Sequence, residues 1–248
     1  MPKFFLPKET SLGVRKVSDV IEITGDDARH ISRTLRMKVS DSVTVSNSEG
    51  TDYLCEIDSI TSDTVYLKIL SVKESDTESS VKSALFQALI KYDKMDTVIQ
   101  KAVELGVSDI YPVESRRSIV KLDKETKIKK VERWNKIALE ASKQCGRGII
   151  PVVHEVIDLN ICAEILKGFD KKFFCYESAE GKTIKDVIGG KDFSSVGFFI
   201  GPEGGIAPEE AGYLKNSGIE EVSLGRLILR TETAGPAVLS MILYETQL

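Results

Sequence analysis

The sequence contains few residues of the types that bind metal ions, with only four cysteines and two histidines among 248 residues. No two cysteines stand in a Cys-x-x-Cys spacing, and His30 and His154 are far apart in the chain. A zinc site requires clustered thiolates and imidazoles, which this pattern does not provide. We therefore predict no metal site and expect reduced cysteines that act as small apolar groups.

Long hydrophobic runs are also absent from the sequence. No segment approaches the roughly 20 consecutive apolar residues that a membrane-spanning helix requires. The first nine residues have only a short apolar part, which two prolines interrupt, unlike a secretory signal peptide. We therefore expect a cytoplasmic protein without a membrane partner.

Basic residues are in the minority overall, since the formal net charge is −4, and this argues against a nucleic-acid partner. Between Ser115 and Arg147, however, eleven residues are basic and four are acidic. Screening at physiological salt limits each charge to about 8–10 Å, so a local excess can still attract phosphate groups. This segment indicates a nucleic-acid-binding surface, and a solvated helix face is the alternative interpretation.

Residues 1–72 are predicted to form a small β-barrel, because short β-branched runs are separated by Gly, Asn, Asp and Ser. The predicted strands are 20–23, 42–45, 53–57 and 64–69. One helix is predicted at 26–36, with acidic residues first and basic residues later. The polar, Ser-rich residues 73–80 are predicted to be a linker.

Between residues 81 and 248, apolar strands alternate with amphipathic helices. The predicted strands are 84–90, 110–113, 172–176, 196–200 and 220–224. The predicted helices are 95–106, 124–144 and 233–244, with another that begins near Pro208. This alternation predicts an α/β domain in which helices cover both faces of a parallel sheet.

A glycine-rich loop, Ile200-Gly201-Pro202-Glu203-Gly204-Gly205, directly follows a predicted buried strand. Three glycines in five residues leave the backbone bare, so a flat ligand can approach it. The loop contains neither a P-loop nor a dinucleotide fingerprint. It is typical of a nucleotide-like ligand that is recognised by main-chain groups, and a tight turn before the next helix is the alternative.

A second loop runs from Leu224 to Pro236, between a predicted strand and the last helix. It contains an Arg-Thr-Glu-Thr cluster. Thr233 as a helix N-cap and Glu232 as a favourable charge near the helix start would explain two of these residues. They do not explain Arg230, so the cluster is also a candidate for catalysis. Ligands of open α/β sheets bind beyond the carboxyl ends of the strands, where both loops stand.

Together the two loops closely resemble the SPOUT methyltransferases, specifically the family that makes 3-methyluridine in small-subunit ribosomal RNA, the methyltransferase E type. The resemblance rests on Gly-Pro-Glu-Gly-Gly, followed about twenty residues later by Leu-Gly-x-x-Ile-Leu-Arg-x-Glu-Thr-Ala. Further matching segments are 25–31, 35–38, 91–96, 100–107 and 140–147. The chain departs from the family at Arg29-His30, where two histidines are common, and at Ser40-Asp41, where Gly-Asp is common.

The resemblance implies a particular fold and assembly. Residues 1–72 would be a PUA-like RNA-binding β-barrel, and residues 81–248 a SPOUT α/β methyltransferase domain whose chain forms a trefoil knot. The cofactor would be S-adenosyl-L-methionine (SAM), held by the knot beside the partner subunit of a homodimer.

The resemblance also implies roles for individual residues. The residues implied to bind the donor are Tyr176, Glu177, Ile200, Gly201, Glu203, Gly204, Gly205, Leu224, Gly225, Leu227, Ile228, Leu229, Thr233 and Ala234. Arg230 is the predicted catalytic residue, and Glu232 would accept a proton or orient Arg230. The residues implied to bind RNA are His30, Arg33, Arg36, Lys38, Lys91, Lys94, Gln144 and Arg147. Tyr92 is the aromatic residue expected to assist at the target base.

The function that the resemblance implies is methylation of N3 of a uridine, uridine 1498 of 16S rRNA in the small ribosomal subunit. A SPOUT enzyme that acts on a ribose 2′-hydroxyl or on tRNA is one alternative. A non-catalytic RNA-binding factor in ribosome assembly is another.

Overall fold

A computed structural model describes residues 1–6, 14–91, 93–190 and 192–247 of the chain. The chain divides into two compact units. Unit 1 comprises Met1–Glu78 and Ser142–Ile150, and unit 2 comprises Ser79–Ala141 and Pro151–Leu248. The predicted aromatic residue Tyr92 lies outside the described residues.

Unit 1 is built on a five-stranded sheet in the order β1-β3-β4-β5-β2. Its strands are β1 (Lys3–Phe5), β2 (Val20–Thr24), β3 (Ser42–Ser46), β4 (Thr51–Ile60) and β5 (Thr64–Glu74). All neighbours are antiparallel except β1 and β3. Register shifts between β4 and β5 mark bulges, which bend the paired strands around the core. The four predicted strands are confirmed, and β5 extends into the segment predicted as a linker.

The predicted helix at 26–36 is shorter and less regular than expected. Helix α1 (Gly25–Arg29) passes into a π-helical turn at His30–Thr34. The chain then reaches Arg36, whose φ of +53° is left-handed and ends the helix. Ser40, where the resembled family often has glycine, is also left-handed, with φ +72°.

The segment Ser142–Ile150 packs within unit 1 through buried polar contacts. The guanidinium of Arg147 forms an ion pair with Glu78 at 2.5 Å, and the same carboxylate accepts from the backbone N–H groups of Gly148 and Ile149. Ser46 donates its hydroxyl to the Gly148 carbonyl at 2.8 Å. Arg147 is only 5% exposed. Its predicted role in RNA binding is therefore corrected, because the guanidinium is buried against Glu78 and offers no exposed charge to a phosphate.

Unit 2 contains a seven-stranded, entirely parallel sheet with helices on both faces. Its strands are β6 (Lys82–Ala88), β7 (Asp109–Glu114), β8 (Val152–Val153), β9 (Ile157–Asp158), β10 (Lys171–Cys175), β11 (Ser195–Ile200) and β12 (Glu220–Val222). Its helices are α2 (Asp93–Glu104), α3 (Lys124–Cys145, of which the last residues belong to unit 1), α4 (Leu159–Leu166), α5 (Ile184–Ile188), α6 (Pro208–Asn216) and α7 (Thr231–Gln247). Adjacent Phe198 and Phe199 are both fully buried, as expected of a strand covered on both faces. The predicted α/β class is confirmed. No helix in the described residues is long and apolar enough to cross a membrane.

The strand order of unit 2 brings the ends of four strands to one edge of the sheet. The order is β12-β10-β11-β6-β7-β8, and Cys175 at the end of β10 pairs with both Ile200 and Val222. Ile200 in turn pairs with Gln87 near the end of β6. Because all four strands run in the same direction, the loops that follow them emerge side by side.

The last helix begins two residues earlier than predicted. The carbonyl of Arg230 accepts from the backbone N–H groups of Thr233 and Ala234, so Arg230 stands at the helix start. Thr233 is an exposed residue in the first turn of α7, and its predicted N-cap role is wrong.

The ion pair between Glu78 and Arg147 provides a test of how unit 1 is held together. Burial alone would raise the pKa of Glu78, but Arg147 and two backbone N–H groups outweigh burial and hold that pKa below its ordinary value. We expect Glu78→Gln to lower the free energy of unfolding by about 3 kcal/mol at pH 7, since it leaves Arg147 buried without a carboxylate. Urea denaturation measures this.

The pH dependence has a defined sign. The pKa of Glu78 is lower in the folded protein than in the unfolded chain, where it is about 4.3. Ionised Glu78 therefore stabilises the fold above that value, and this stabilisation is lost as the pH falls through the folded-state pKa. The difference between wild type and Glu78→Gln should therefore shrink below about pH 4. Glu125→Gln is the control, because Glu125 pairs with Lys129 at an exposed position. Equal losses in the two variants would contradict the prediction.

Candidate active site

A cavity of about 630 Å³ lies at the carboxyl edge of the unit 2 sheet. It is lined by Cys175, Tyr176, Glu177, Ile200, Gly201, Pro202, Glu203, Gly204, Gly205, Ile206, Ser223, Leu224, Gly225, Arg226, Leu227, Ile228, Leu229, Arg230, Thr231, Glu232 and Ala234. The lining includes every residue predicted to bind the donor except Thr233. It also contains both predicted catalytic residues.

The glycine loop forms one wall, and its glycines are required by close packing. A Cβ on Gly201 would lie 2.7 Å from Cγ1 of Ile206. Gly205 has φ +72°, and a Cβ there would overlap the carboxylate of Glu177. The backbone N–H of Gly205 donates to the Pro202 carbonyl at 2.9 Å and closes a turn. The loop therefore holds bare main chain against the cavity, beside a carboxylate.

The loop from Ser223 to Arg230, together with the first residues of α7 up to Glu232, forms the opposite wall. Gly225 has φ +110°, and its N–H donates to the hydroxyl of Ser223 at 3.2 Å. Two apolar side chains of this loop, Leu227 and Ile228, are 80% and 84% exposed. Exposed apolar side chains at a cavity mouth are typical of a surface that closes on a ligand or on another chain.

Lys94 links the two walls through their carboxylates. Its Nζ lies 3.1 Å from Oε1 of Glu232 and 3.9 Å from Oε1 of Glu203. The backbone N–H of Lys91 donates to Glu203 at 3.1 Å. Lys91 and Lys94 were predicted to bind RNA. The structure shows that Lys94 forms ion pairs at the cavity, while Lys91 contributes a main-chain donor and remains exposed.

Glu232 is an ionised acceptor rather than a strong base. Its own backbone N–H, then Lys94 and Arg230, hold the pKa of its carboxyl below the ordinary value against the opposing effect of desolvation. Its Oε2 is buried and has no hydrogen-bond partner among the described residues. Within the same residues, Arg230 is exposed and forms no ion pair, so the carboxylate of Glu232 pairs with Lys94 and not with Arg230.

The structure adds two residues that the sequence did not single out. Arg117, in the loop after β7, donates from its guanidinium to the carbonyl of Gly204 at 3.1 Å. Thr231, the first residue of α7, donates its hydroxyl to the carbonyl of Gly201 at 2.6 Å. Arg117 follows the parallel strand β7, and this position alone could have indicated a site residue. It did not stand out in the sequence because it belongs to a long basic segment.

The predicted RNA-binding residues of unit 1 are concentrated around the π-helical turn. His30, Arg33, Arg36 and Lys38 are all exposed, and the ring of His30 meets Phe4 edge-on with 6.3 Å between centroids. Gln144 is also exposed. A π-helical turn next to a left-handed residue is unusual backbone, and such backbone is concentrated at functional sites.

The four cysteines are free thiols. Burial raises the pKa of Cys55 to about 12 and also raises the pKa of Cys175, which lines the cavity. Both thiols therefore remain protonated at neutral pH, which does not favour metal binding or nucleophilic attack. In the described ranges, no cluster of three or more His, Cys, Asp or Glu side chains could hold a metal.

Comparison with known proteins agrees with this geometry. An RNA methyltransferase domain model matches residues 77–243, and an RNA methyltransferase PUA domain model matches residues 23–70. The ribosomal RNA small subunit methyltransferase E of Bacillus subtilis is 34% identical over 91% of this chain and 90% of its own length. The Aquifex aeolicus protein of the same name is 31% identical over 79% of this chain and 82% of its own. The chain belongs to the small-subunit rRNA methyltransferase E family.

Two solved structures that contain bound SAM are similar to this chain. A Legionella pneumophila methyltransferase in complex with SAM is 31% identical, with a TM-score of 0.87 over 98% of this chain and 96% of that chain. A small-subunit methyltransferase E from Neisseria gonorrhoeae bound to S-adenosyl methionine is 28% identical, with a TM-score of 0.88 over 98% and 97%. The predicted family and fold class are confirmed.

The ion pair at the cavity predicts a measurable change in the pKa of Glu232. We expect Lys94→Met to raise that pKa, because the variant removes an ammonium group that favours the ionised carboxylate. Carboxyl ¹³C NMR titration, with the Glu232 signal assigned from Glu232→Gln, measures the shift. Lys91→Met is the control, since it keeps the backbone donor to Glu203. An unchanged Glu232 midpoint in Lys94→Met would contradict the assignment.

Proposed function

We propose that this chain is a SAM-dependent methyltransferase that modifies N3 of a uridine in 16S rRNA, uridine 1498, and that it works in the cytoplasm as a homodimer. The observation that carries the proposal is the cavity itself. Its two walls are a glycine-bare loop and an Arg-Thr-Glu helix start, and carboxylates stand on both.

The residues that line the cavity fit SAM. Its volume of about 630 Å³ is within the usual range for small-ligand sites. Bare peptide groups at Gly201 and Gly204 suit an adenine or ribose edge, and Leu224 and Leu229 supply apolar surface. The carboxylates of Glu177, Glu203 and Glu232 and the guanidinium groups of Arg226 and Arg230 line the same cavity, so it offers partners for both the cationic and the anionic groups of SAM. When bound, SAM supplies an electrophilic methyl group.

Arg230 is the proposed catalytic residue. Uracil N3 becomes a nucleophile only when it loses its proton, and the resulting charge spreads onto O2 and O4. An exposed guanidinium that forms no ion pair in the described chain can donate to one of these oxygens and stabilise the charge as it develops. It would also lower the pKa of N3 itself.

Glu232 would align the target base. Its Oε2 is a buried acceptor without a partner in the described residues, so it can receive a hydrogen bond from the N3–H group. The depressed pKa of Glu232 keeps it ionised for that purpose but makes it a weak final proton acceptor. We propose that Glu232 orients N3 and relays its proton to bulk water, while Arg230 stabilises the uracil anion.

RNA binding and dimerisation complete the proposal. His30, Arg33, Arg36 and Lys38 would contact the RNA, with Lys91 and Gln144 as further exposed contacts. Leu227 and Ile228, which the described residues of one chain leave uncovered, would pack against the partner subunit. The trefoil knot remains a prediction from the family resemblance.

The test is a methyl-transfer assay with small ribosomal subunits that lack the modification. We expect nucleoside mass spectrometry after incubation with SAM to show 3-methyluridine. A 2′-O-methyl product, or methylation of tRNA instead, would replace the proposed substrate. Absence of binding heat with S-adenosylhomocysteine would favour the non-catalytic RNA-binding alternative.

Replacement of Arg230 should separate chemistry from donor binding. We expect Arg230→Ala to lower kcat by about 10²–10³-fold, the usual effect of removing a group that stabilises developing charge. The affinity for S-adenosylhomocysteine, measured by calorimetry, should change little. Lys167→Ala is a control, because Lys167 pairs with Glu164 at an exposed position outside the basic segment. Unchanged turnover in Arg230→Ala would remove this residue from the mechanism.

If the basic residues of unit 1 bind RNA phosphates, the RNA affinity of the protein should depend on salt concentration. Removing two phosphate contacts with Arg33→Ala and Lys38→Ala should reduce the slope of log affinity against log salt by about 1.5. Fluorescence anisotropy with a 16S rRNA fragment measures this slope. Arg29→Ala is the matched control, since Arg29 already pairs with Asp26. An equal slope in wild type and double variant would exclude these two cations from the interface.

A further inference from the structure

Gln87 is an unexpected residue in the core of unit 2. It lies in β6 between Phe86 and Ala88, and all three are fully buried. A buried amide requires hydrogen-bond partners. Nε2 of Gln87 donates to the carbonyl of Ala88 at 3.2 Å and to the hydroxyl of Thr231 at 3.0 Å. Both protons of the amide nitrogen are therefore used.

The hydrogen bonds from Gln87 to the cavity have one possible direction. The hydroxyl of Thr231 has a single proton, which it donates to the carbonyl of Gly201 at 2.6 Å. Thr231 must therefore accept from Gln87. A reversed amide would place its oxygen against the carbonyl of Ala88 and would compete for the proton that Gly201 receives. The network thus runs from Gln87 through Thr231 to Gly201.

The network is not the arrangement that best stabilises the core. Oε1 of Gln87 is buried and has no partner among the described residues, which lowers the stability of the core. It faces α7 at Gly235, where a Cβ would lie 3.5 Å from that oxygen. An apolar side chain of similar length, such as methionine, would avoid this cost. Stability alone therefore does not account for an amide at this position.

We infer that Gln87 and Thr231 are positioning residues for the donor site. This inference rests on the proposed function. Gly201 begins the wall that carries Glu203, and Thr231 stands between Arg230 and Glu232. The hydrogen bond from Thr231 to Gly201 joins these two walls, and Gln87, by donating to the Thr231 hydroxyl oxygen, holds that hydroxyl in the orientation that donates to Gly201. A displacement of about 1 Å at a reacting centre can lower a rate about 100-fold, so such fixing matters for catalysis.

Replacement of Thr231 provides the first test. Thr231→Val preserves shape but removes the hydroxyl, so we expect about tenfold weaker binding of S-adenosylhomocysteine in calorimetry and a lower kcat. Thr231→Ser keeps the hydroxyl and should remain within about twofold of wild type. The control is Ser83→Ala. Ser83 is a buried residue of the same strand, and its hydroxyl bonds a different glycine carbonyl, that of Gly106 at 3.5 Å.

Replacement of Gln87 tests whether the residues act as one network. Gln87→Met should weaken donor binding as Thr231→Val does, and the double variant should be little worse than either single variant, because residues in one network are not additive. Circular dichroism and Tm establish that each variant is folded. If Gln87→Met does not fold, the comparison of donor affinity and kcat between Thr231→Val and Thr231→Ser tests the inference by itself.

The outcomes separate the two proposals. If wild type binds S-adenosylhomocysteine but Thr231→Val binds it equally well and turns over normally, the positioning inference is overturned and the proposed function stands. A lower Tm with unchanged affinity and kcat would likewise overturn it, since the role would then be structural. Failure of wild type to bind would overturn the proposed function together with this inference.

Discussion

The parallel register of four strands is the constraint on which the candidate site depends. Cys175, Ile200 and Val222 lie opposite one another at the ends of their strands, and Ile200 lies opposite Gln87. Loops that are distant in sequence therefore emerge at the same edge without any dedicated connecting element. The fully buried apolar strands fix this register, because a shift by one residue would exchange the residues packed on the two faces of the sheet.

The second requirement is balance of charge at this edge. Carboxylates stand on both walls of the cavity, and Lys94 bridges two of them. The two carboxylates would repel each other, and the ammonium group between them offsets that repulsion. The glycines also preserve the shape of the cavity. A side chain at Gly201 would push Ile206 away from the loop, and one at Gly205 would push Glu177 away. Packing and electrostatics therefore favour the same cavity shape.

Local patterns in the sequence predicted every described strand except the short β1, β8 and β9, together with the α/β class and both cavity loops, because these features depend on periodicity and on glycine within short segments. They did not predict the partners of charged residues. Arg147 is paired with Glu78 and Lys94 with Glu232, and in each case the partner is remote in sequence. The π-helical turn was missed because it has no periodic signature. The left-handed backbone at Ser40 explains why glycine suits that position in the resembled family.

Unit 1 is assembled from two separate stretches of chain, and this has a consequence for synthesis. The carboxylate of Glu78 pairs with Arg147, and the hydroxyl of Ser46 donates to the carbonyl of Gly148, so both groups depend on the segment Ser142–Ile150. On a ribosome that adds about 5–20 residues per second, those partners are made several seconds after Glu78. The N-terminal unit therefore acquires its last buried hydrogen bonds only when more than half of the polypeptide has been translated, and its maturation is tied to that of the domain downstream.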